Sequence, residues 1–300
     1  MKILAAVVTY NRCALLKRCI DHIRAQSRRP DAILVINNSS PDDTVEMLEA
    51  EKVGYVTQPN LGSAGGWARA IDEATARGFD AVWLMDDDGF PDAAALGLLE
   101  ASLGDDVVCV SSVVLRENDP ERFVFPFPRL NPDGFPVILA LRRKLPKLEQ
   151  LRSTAEGDLY PFAHLFNGAL LPVSVSNEIG NVNPGYFMYG DEVDYFMRMK
   201  SRGKVFSNLR AHHFHPDVTT RAFTTEKFYY YVKNTIILNR LYFDKSALRN
   251  LLAVAAGLAR TASRNSLAAM FSYVAGPRAP LLWRAIGRGL NGRIGKDFDG

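Results

Sequence analysis

Short apolar runs alternate with segments of helical periodicity over the first 115 residues. The apolar runs cover residues 3–8, 32–36, 81–85 and 107–115, and residues 55–57 form a shorter one. Continuous apolar runs of this length are typical of strands that are buried on both faces of a sheet. The intervals between them place apolar residues on one face of a helix. This alternation predicts a parallel sheet whose strands are joined by right-handed crossovers.

The middle of the chain is less regular. Residues 116–160 are rich in proline and then in basic residues, and we interpret them as an excursion over a substrate cleft. A basic run also suits a plain solvated face. Residues 162–171 predict a strand with Asn167 and Gly168 near its middle, where glycine permits the close approach of a ligand.

Helical patterns dominate the C-terminal part of the chain. Residues 228–243 predict an amphipathic aromatic helix, and apolar faces recur among arginines over residues 248–290. No acid occurs between Asp244 and Asp297, and Trp283 lies within this basic segment. Basic amphipathic helices of this kind fit an in-plane contact with a membrane. Packing of these helices against the rest of the chain, with a solvated basic face, is the alternative.

Composition narrows the class of protein. The 300 residues are 47% hydrophobic, which is enough for a large core in one or two domains. The formal net charge of +3 is small, so a nucleic-acid binder is not expected. Cys13, Cys19 and Cys109 show no metal-binding spacing and predict a reduced, intracellular setting. The chain leads directly into a strand and has no long apolar stretch, so neither a signal peptide nor a membrane span is expected.

Three consecutive carboxylates, Asp86, Asp87 and Asp88, follow the strand predicted at residues 81–85. Open α/β sheets keep their ligand crevice at the carboxyl ends of the strands. Alternate side chains of an extended segment share a face, so Asp86 and Asp88 are expected to point the same way. Two converging carboxylates repel each other unless a cation such as Mg²⁺ or Mn²⁺ lies between them. A polar, helix-capping turn is the alternative for so short a motif.

Polar residues also collect where the other predicted strands end. Thr9, Asn11, Asn38 and Asn60 each lie between a strand and the following helix, and the segment 62–66 is rich in glycine. In a doubly wound sheet these ends face one crevice, which is typical of a nucleotide site. Backbone N–H groups of a glycine-rich loop at a helix start suit phosphate oxygens. Taken singly, these residues also fit plain turns.

A second group of acids begins the helix predicted at residues 191–202. Asp191 can cap this helix, and Asp194 shares its face. A carboxylate at a helix start can accept a proton from a bound hydroxyl, although capping alone also accounts for Asp191. Farther on, His213 and His215 are expected on one face of a strand, where an imidazole can complete the coordination of a cation.

Together these motifs resemble those of family 2 glycosyltransferases with the GT-A fold. The motifs VVTYNR, NNSSPDD, NLGSAGG, LMDDDG and YGDEVDYFMR, with a histidine downstream, occur in that family's order and spacing. The segment YYVKNTIILNR is similar to bacterial rhamnosyltransferases and galactofuranosyltransferases, and the combination NLGSAGGW, MDDDGFP and YGDEVDYFMR resembles the galactofuranosyltransferases most. The resemblance covers nearly the whole chain.

The resemblance implies an α/β fold of the GT-A type, with a Rossmann-like, mixed and mostly parallel sheet flanked by helices. The catalytic domain would cover residues 1–225, with a nucleotide-binding half at about 1–115 and an acceptor-binding half at about 116–225. An amphipathic helical region would follow at residues 226–300.

Carried over position by position, the resemblance implies a site for a nucleotide-sugar donor. The residues expected around the donor are Thr9, Tyr10, Asn11, Arg12, Asn38, Asn60, Gly62, Gly65, Gly66, Trp67, Asp86 and Asp87. Asp86 and Asp88 would hold Mn²⁺ or Mg²⁺ against the diphosphate. His215 best matches the family's histidine ligand, and His213 comes second.

The resemblance also implies the catalytic acids. The family's base pair falls on Asp191 and Glu192, in the reverse of the Glu-Asp order found in many relatives, so the base can be either one. Asp191 is preferred here, and Asp194 is assigned to acceptor binding or orientation. The implied reaction is a single displacement with inversion, in which this base deprotonates a hydroxyl of the acceptor sugar.

The expected donor is UDP-galactofuranose, with dTDP-rhamnose as the alternative. The expected acceptor is a lipid-linked or polysaccharide glycan in the synthesis of cell-surface polysaccharide, such as O-antigen or cell wall. The expected location is cytoplasmic, peripheral at the inner face of the cell membrane. A sugar nucleotidyltransferase would typically carry a glycine-rich basic signature after the first strand, where this chain has TYNR. A non-catalytic module that binds a nucleotide-sugar is the third alternative.

Overall fold

The computed structural model describes residues 1–138, 142–155, 157–218 and 221–298. The chain forms two compact units. The first consists of Met1–Val182 and Arg198–Asp217, and the second of Asn183–Met197 and Val218–Gly300. The first unit contains the sheet, whereas the second is helical. The domain boundaries expected at residues 115 and 225 stay predictions.

Four parallel strands form one half of the sheet in the first unit. β1 (Ile3–Thr9), β2 (Ala32–Asn37), β3 (Gly54–Thr57) and β4 (Ala81–Asp86) lie in the order β3-β2-β1-β4. Each pairs with its neighbours in parallel, which confirms the predicted parallel arrangement over this half. Because parallel strands end at one edge, the polar residues that follow them lie along the same side of the sheet.

Helices follow these strands and cover a continuous core. Their bounds are α1 (Cys13–Arg24), α2 (Thr44–Ala50), α3 (Gly62–Ala76) and α4 (Ala95–Ala101). On α1 the buried residues are Leu16, Cys19, Ile20 and Ile23, a spacing of three to four residues that places them on one face. They pack with the fully buried residues of β1 and β4.

The other half of the sheet is mixed. β6 (Val107–Arg116) and β11 (Lys204–His215) pair in parallel, and β10 (Asn167–Pro172) runs antiparallel between β4 and β6. The short strand β5 (Phe90–Pro91) pairs antiparallel with His213 and Phe214 of β11. Since only Gly89 separates β5 from the acid run, this pairing brings β11 close to the acids.

The segment 116–160 contains more regular structure than its sequence predicts. It forms β7 (Asp119–Pro128), β8 (Lys144–Lys147), α5 (Leu148–Arg152) and β9 (Leu159–Tyr160). The prolines suggest an irregular segment, but strands form here because irregular strands tolerate proline. The pairing of β7 with β8 shifts register between Arg122 and Phe127. Phe123 and Phe127 pack with Leu145 and Leu151 in a second core.

The strand predicted at residues 162–171 begins only at Asn167. Phe166 and Gly168 have φ values of 67° and 89°, which interrupt an extended chain. The register of β10 against β4 shifts at this point, between Asn167 and Ala169. Helix α6 (Val173–Ile179) follows β10.

Helices make up the second unit. Their bounds are α8 (Thr225–Tyr242), α9 (Ser246–Arg264), α10 (Leu267–Ala275) and α11 (Ala279–Leu290), and α7 (Asp191–Arg202) begins in this unit. Helix α8 is buried almost all round, and even Lys233 and Asn234 are inaccessible to solvent. The helix predicted over residues 228–243 is present, but it is not amphipathic, because aromatic and aliphatic residues occur around most of α8 and are buried.

The positive charge of the buried Lys233 is neutralised by the carboxylate of Asp297. Its ammonium group donates to the carboxylate of Asp297 and to the carbonyl oxygen of Gly295. Burial lowers the pKa of Lys233, and the hydrogen bond that its ammonium group donates to Asp297 opposes this shift. Arg288 also lies 2.6 Å from the same carboxylate. Breaking a buried pair of this kind is strongly destabilising, so residues 295–298 belong to the fold of the second unit.

None of the helices in the described parts of the chain combines the length and the apolar character required to cross a bilayer.

Candidate active site

The acid run forms a turn at the end of β4. The strand ends at Asp86, whose backbone N–H donates to the carbonyl oxygen of Phe166 at 2.9 Å. Asp87 and Asp88 lie in the turn that follows and are both buried. The alternation of side chains expected from an extended segment therefore stops at Asp86, which is partly exposed. Close packing of the turn, rather than strand geometry, sets the directions of the other two carboxylates.

Asp87 fastens the loop after β1 to this turn. Its Oδ2 accepts a hydrogen bond from the Thr9 hydroxyl at 2.7 Å and one from the Tyr10 N–H at 3.4 Å, and its Oδ1 accepts one from Arg12 at 2.9 Å. Burial raises the pKa of Asp87, and the neighbouring guanidinium of Arg12 opposes the rise. Thr9 and Asp87, both expected around the donor, thus contact each other and hold the loop in place.

Asp88 lies between the guanidinium group of Arg12 and the imidazole ring of His215. Its Oδ2 is 2.9 Å from Nη1 of Arg12, and its Oδ1 is 2.8 Å from Nε2 of His215. The other ring nitrogen of His215 is 2.7 Å from the carbonyl oxygen of Pro216. A carbonyl can only accept, so Nδ1 carries the proton and Nε2 is directed at the carboxylate. Burial would lower the pKa of Arg12, but Asp87 and Asp88 raise it above its ordinary value.

His213 lies behind the turn rather than in it. Its side chain is fully buried, and neither ring nitrogen has a hydrogen-bond partner among the described residues. Burial lowers its pKa to about 3, so the ring is neutral. A Cβ on Gly89 would lie 2.2 Å from Nε2 of this ring, whereas a Cβ on Gly168 would lie 3.4 Å from its Nδ1. Of the two predicted histidine ligands, the structure therefore brings only His215 to Asp88.

Gly89 sets the packing of the acid turn, and we expect Gly89→Ala to destabilise the protein by about 1–3 kcal/mol, as for other overpacked sites. A Cβ at this position would lie 2.2 Å from Nε2 of His213 and 3.0 Å from the carbonyl oxygen of Phe214. Urea unfolding measures the loss, and transferase activity should fall with it because the turn carries Asp88.

The matched control is Gly97→Ala in α4, where the nearest atom, Cβ of Arg28, is 3.5 Å away. That change should leave stability equal or slightly raised, since alanine favours helix. Adding His213→Ala to Gly89→Ala removes the ring and should recover part of the loss. If Gly89→Ala proves as stable as the parent chain, the ring of His213 does not exclude a side chain at position 89.

The other residues predicted around the donor lie at the ends of β1, β2 and β3. Asn38 is buried, and its amide joins two loops by accepting from Gln58 at 2.9 Å and donating to the carbonyl oxygen of Gly62 at 3.3 Å. Asn60 accepts from the N–H of Gly62 at 3.0 Å. Tyr10 and Asn11 are exposed, and Asn11 has a left-handed φ of 55°. The structure thus brings these residues to one edge of the sheet.

The glycine-rich segment is helical rather than a loop. Helix α3 begins at Gly62, so Gly65 and Gly66 are buried in its first turns. A Cβ on Gly66 would lie 2.4 Å from Cγ1 of Val8, so this glycine lets the helix lie against β1. Trp67, also predicted around the donor, is buried and stacks on Phe166 with the ring centroids 4.6 Å apart.

The predicted catalytic acids lie at the start of α7, in the second unit. Asp191 and Asp194 are buried, and Glu192 is partly exposed. Oδ1 of Asp194 accepts a hydrogen bond from the hydroxyl of Tyr242 at 2.7 Å. Asp194 is therefore held by a side chain of α8.

The loop before Asp191 is organised by Asn234, which the sequence analysis overlooks. Nδ2 of Asn234 lies 3.0, 2.9 and 2.6 Å from the carbonyl oxygens of Tyr186, Met188 and Tyr189. The signal in the sequence is a Lys-Asn pair within the apolar run of α8, where a polar side chain must find a partner. The sequence analysis also misses Gly89 and the bridge that Arg12 makes between two acids, which depends on a tertiary contact.

The acid turn offers a partial metal site. The described ranges contain no group of three His, Cys, Asp or Glu side chains placed to hold an ion. Asp88 and His215, however, present an oxygen and a nitrogen 2.8 Å apart, and Pro216 orients the ring as outer partners of metal ligands do. These two ligand atoms fit Mn²⁺ or Mg²⁺ if the nucleotide's phosphate oxygens and water supply the remaining ligands.

Comparison with known proteins now connects these features to a family. The sequence pattern of Glycosyl transferase family 2 matches residues 5–166. Galactofuranosyltransferase GlfT1 of Mycolicibacterium smegmatis is 35% identical over 219 residues, which cover 71% of this chain and 70% of the relative. Galactofuranosyltransferase GlfT1 of Mycobacterium tuberculosis H37Rv is 35% identical over 223 residues, with the same coverage.

Solved structures show the same fold. Mannosyltransferase PcManGT of Pyrobaculum calidifontis, in complex with GDP-Man and Mn²⁺, gives a TM-score of 0.57 at 16% identity and covers 96% of this chain and 84% of its own. S. aureus TarS 1–349 in complex with UDP-GlcNAc gives 0.54 at 13% identity, covering 98% and 82%.

GalNAc-T7 with UDP, GalNAc and Mn²⁺ gives a TM-score of 0.60 at 12% identity and covers 82% of this chain. The match spans about half, 49%, of the GalNAc-T7 chain. At such low identities these likenesses concern the fold alone, and they confirm the predicted GT-A fold.

Proposed function

The chain belongs to glycosyltransferase family 2 and is a glycosyltransferase, and from this we propose that it transfers galactofuranose from UDP-galactofuranose to a glycan acceptor. The observation that carries the donor assignment is the 35% identity to galactofuranosyltransferase GlfT1 over 219 residues. The competing donor is dTDP-rhamnose, because the segment YYVKNTIILNR is also similar to rhamnosyltransferases.

Mn²⁺ or Mg²⁺ is the proposed cofactor. Asp88 and His215 would hold it, and the partly exposed Asp86 is the third candidate ligand. When bound, such an ion neutralises the charge that develops on a leaving diphosphate. The chain itself positions the side chains that would bind the ion. Pro216 fixes the ring of His215, and Arg12 keeps Asp87 and Asp88 together although like charges repel.

Asp191 is the proposed base, with Glu192 as the alternative. Its carboxylate would accept the proton of an acceptor hydroxyl while that oxygen bonds to the anomeric carbon and the bond to the diphosphate breaks. Because the nucleophile enters opposite the leaving group, the anomeric configuration inverts, as in inverting glycosidases where water takes the hydroxyl's place. The hydrogen bond from Tyr242 immobilises Asp194, which suits it to orient the acceptor.

The proposed acceptor is a lipid-linked or polysaccharide glycan, and the product is part of a cell-surface polysaccharide such as O-antigen or cell wall. We place the protein in the cytoplasm, in peripheral contact with the inner face of the cell membrane. The support for membrane contact is the segment 245–296, which contains arginines and lysines but no acid.

A donor screen tests the proposed function. Purified protein is given UDP-galactofuranose or dTDP-rhamnose with a synthetic lipid-linked acceptor, with and without EDTA. We expect transfer from UDP-galactofuranose only, an inverted anomeric centre by NMR, and at least a roughly 100-fold loss in EDTA that added Mn²⁺ restores.

Each part of the proposal has its own contrary result. Transfer of rhamnose in place of galactofuranose rejects the donor, and transfer that ignores chelation rejects the metal. Full activity of the double variant Asp191→Asn with Glu192→Gln rejects the assigned base. Transfer from neither UDP-galactofuranose nor dTDP-rhamnose rejects both donor assignments. Asp194 is kept unchanged in that variant so that the hydrogen bond to Tyr242 and the start of α7 are preserved.

A further inference from the structure

The loop of residues 183–190, which leads directly into Asp191, has a rare backbone conformation. Phe187 has φ and ψ values of 64° and −59°, and the N–H of Met188 donates to the carbonyl oxygen of Tyr186 at 2.7 Å. Together these features define the form of γ-turn with positive φ, which is rare and strained. Strained backbone persists only where the surrounding residues hold it, and it is common at active sites.

A strap, formed by residues 294–298, lies on the start of this loop. The N–H of Gly295 donates to the carbonyl oxygen of Gly185 at 2.6 Å. Ile294 packs against the same residue, since a Cβ on Gly185 would lie 2.6 Å from Cδ1 of Ile294. The absence of a side chain at position 185 therefore lets the strap approach the backbone of the loop.

The residue at the centre of the γ-turn contacts both the strap and α8. The ammonium group of Lys296 is 5.6 Å from the centroid of the Phe187 ring, within the range of a cation–π contact. The ring of Tyr230 in α8 is 5.3 Å from that of Phe187 between centroids. The hydroxyl of Tyr230 also accepts a hydrogen bond from the N–H of Asp297 at 2.7 Å, so this tyrosine joins the strap to the turn.

Buried groups of α8 anchor the strap. The ammonium group of Lys233 donates to the carbonyl oxygen of Gly295 at 2.8 Å and to the carboxylate of Asp297, and both of these charged side chains are almost inaccessible. The ring of Phe298 contacts that of Tyr229 edge-on, with the centroids 5.0 Å apart. Because these anchors lie on α8 and not on the loop, the strap is a fixed support against which the loop rests.

We infer that the strap positions the loop of residues 183–190, and with it Asp191 and Glu192, for proton transfer. Asn234 holds the later part of the loop through three carbonyl groups, and the strap holds its start at Gly185. The strap thus acts through the loop and not on the substrate. A displacement of about 1 Å at a reacting group can lower the rate about 100-fold. The inference rests on the proposed function in that one of the two carboxylates is the base.

Gly185→Ala tests this contact by placing a methyl group between the strap and the loop. We expect kcat for transfer to fall about 100-fold, while KM for the donor stays within about twofold, because the residues proposed around the donor belong to the first unit. Amide hydrogen exchange, followed by mass spectrometry, should become at least about tenfold faster at residues 186–190 and stay unchanged along α8.

Ile294→Ala shows whether the strap causes the loss. It removes the atoms nearest to the added methyl group, so the double variant Gly185→Ala with Ile294→Ala should return to within about fivefold of the kcat of Ile294→Ala. Ile294→Ala alone should fold normally, since the side chain is 39% exposed, and should speed exchange at residues 186–190 about threefold. Gly287→Ala in α11 is the matched control, because a Cβ there meets no atom within 4 Å, and it should behave as the parent chain.

Three results would overturn the role of the strap. The first is a Gly185→Ala variant that equals Gly287→Ala in kcat and exchange. The second is a loss that Ile294→Ala does not relieve, which would assign it to Oδ1 of Asn183, 3.0 Å from the added methyl group. The third is faster exchange throughout α8 with a raised KM, which would indicate general unfolding of the second unit.

Failure of the proposed function would look different from failure of the strap. A parent chain that transfers no sugar rejects the proposed function, while hydrogen exchange of the same variants still decides whether the strap holds the loop. If Gly185→Ala does not fold, Ile294→Ala alone makes the comparison, and unchanged exchange at residues 186–190 in that variant overturns the inference.

Discussion

Asp88→Asn is expected to lower kcat/KM for sugar transfer by roughly 10³-fold, the upper range for removal of one preorganised electrostatic group. The carboxylate of Asp88 is the one that lies 2.8 Å from Nε2 of His215. Replacing it by an amide removes the negative charge that would attract a divalent ion. The fold should persist, because the amide oxygen can accept from Arg12 while the amide N–H donates to the lone pair of Nε2. The unfolding free energy should therefore change by only about 1 kcal/mol.

Asp80→Asn is the matched control for this change. Asp80 lies at the opposite end of the same strand, where its carboxylate accepts the N–H of Lys2 at 2.6 Å. That variant should lose a little stability and keep its activity. Steady-state kinetics across a Mn²⁺ titration, with urea unfolding of both variants, makes the comparison. Activity of Asp88→Asn within about tenfold of the parent would mean that the acid turn does not hold the ion.

The sequence predicts the framework of the first unit well because that framework depends on local signals. The apolar runs at residues 3–8, 32–36 and 81–85 are strands buried on both faces, and their polar ends lie at one edge of the sheet. The family motifs add the GT-A fold, which the structural comparison confirms. The strand predictions need only the pattern of apolar residues, which a single sequence contains, whereas the GT-A fold is what the family resemblance implies.

The directions of the side chains in the acid turn could not be predicted in the same way. Alternation along a strand suggests that Asp86 and Asp88 converge, yet β4 ends at Asp86 and the turn directs Asp87 to Thr9 and Arg12. That geometry depends on residues 75 or more positions apart in the chain. Likewise, the sequence of α8 suggests an amphipathic helix, and only the structure shows that its neighbours bury most of its residues.

The second large effect is expected at Asn234, and it follows from the same tertiary contacts. Asn234→Asp replaces an NH₂ group with an oxygen of the same size, opposite the carbonyl oxygens of Tyr186, Met188 and Tyr189. A buried negative charge that faces only acceptors costs about 3–5 kcal/mol. The loop of residues 186–190 should therefore leave its position, and transfer should become undetectable because the loop leads into Asp191 and Glu192.

Asn239→Asp on the same helix is the control that separates this effect from burial of a carboxylate in α8. Its amide donates to Oδ1 of Asn250 at 3.0 Å, and that partner can rotate its own NH₂ toward the new oxygen. The cost there should be about 1 kcal/mol, with activity retained. Thermal unfolding, limited proteolysis of the loop and transfer assays distinguish the two variants. Equal losses at both positions would assign the effect to α8 as a whole, whereas an active Asn234→Asp variant would show that the three carbonyl contacts do not set the loop.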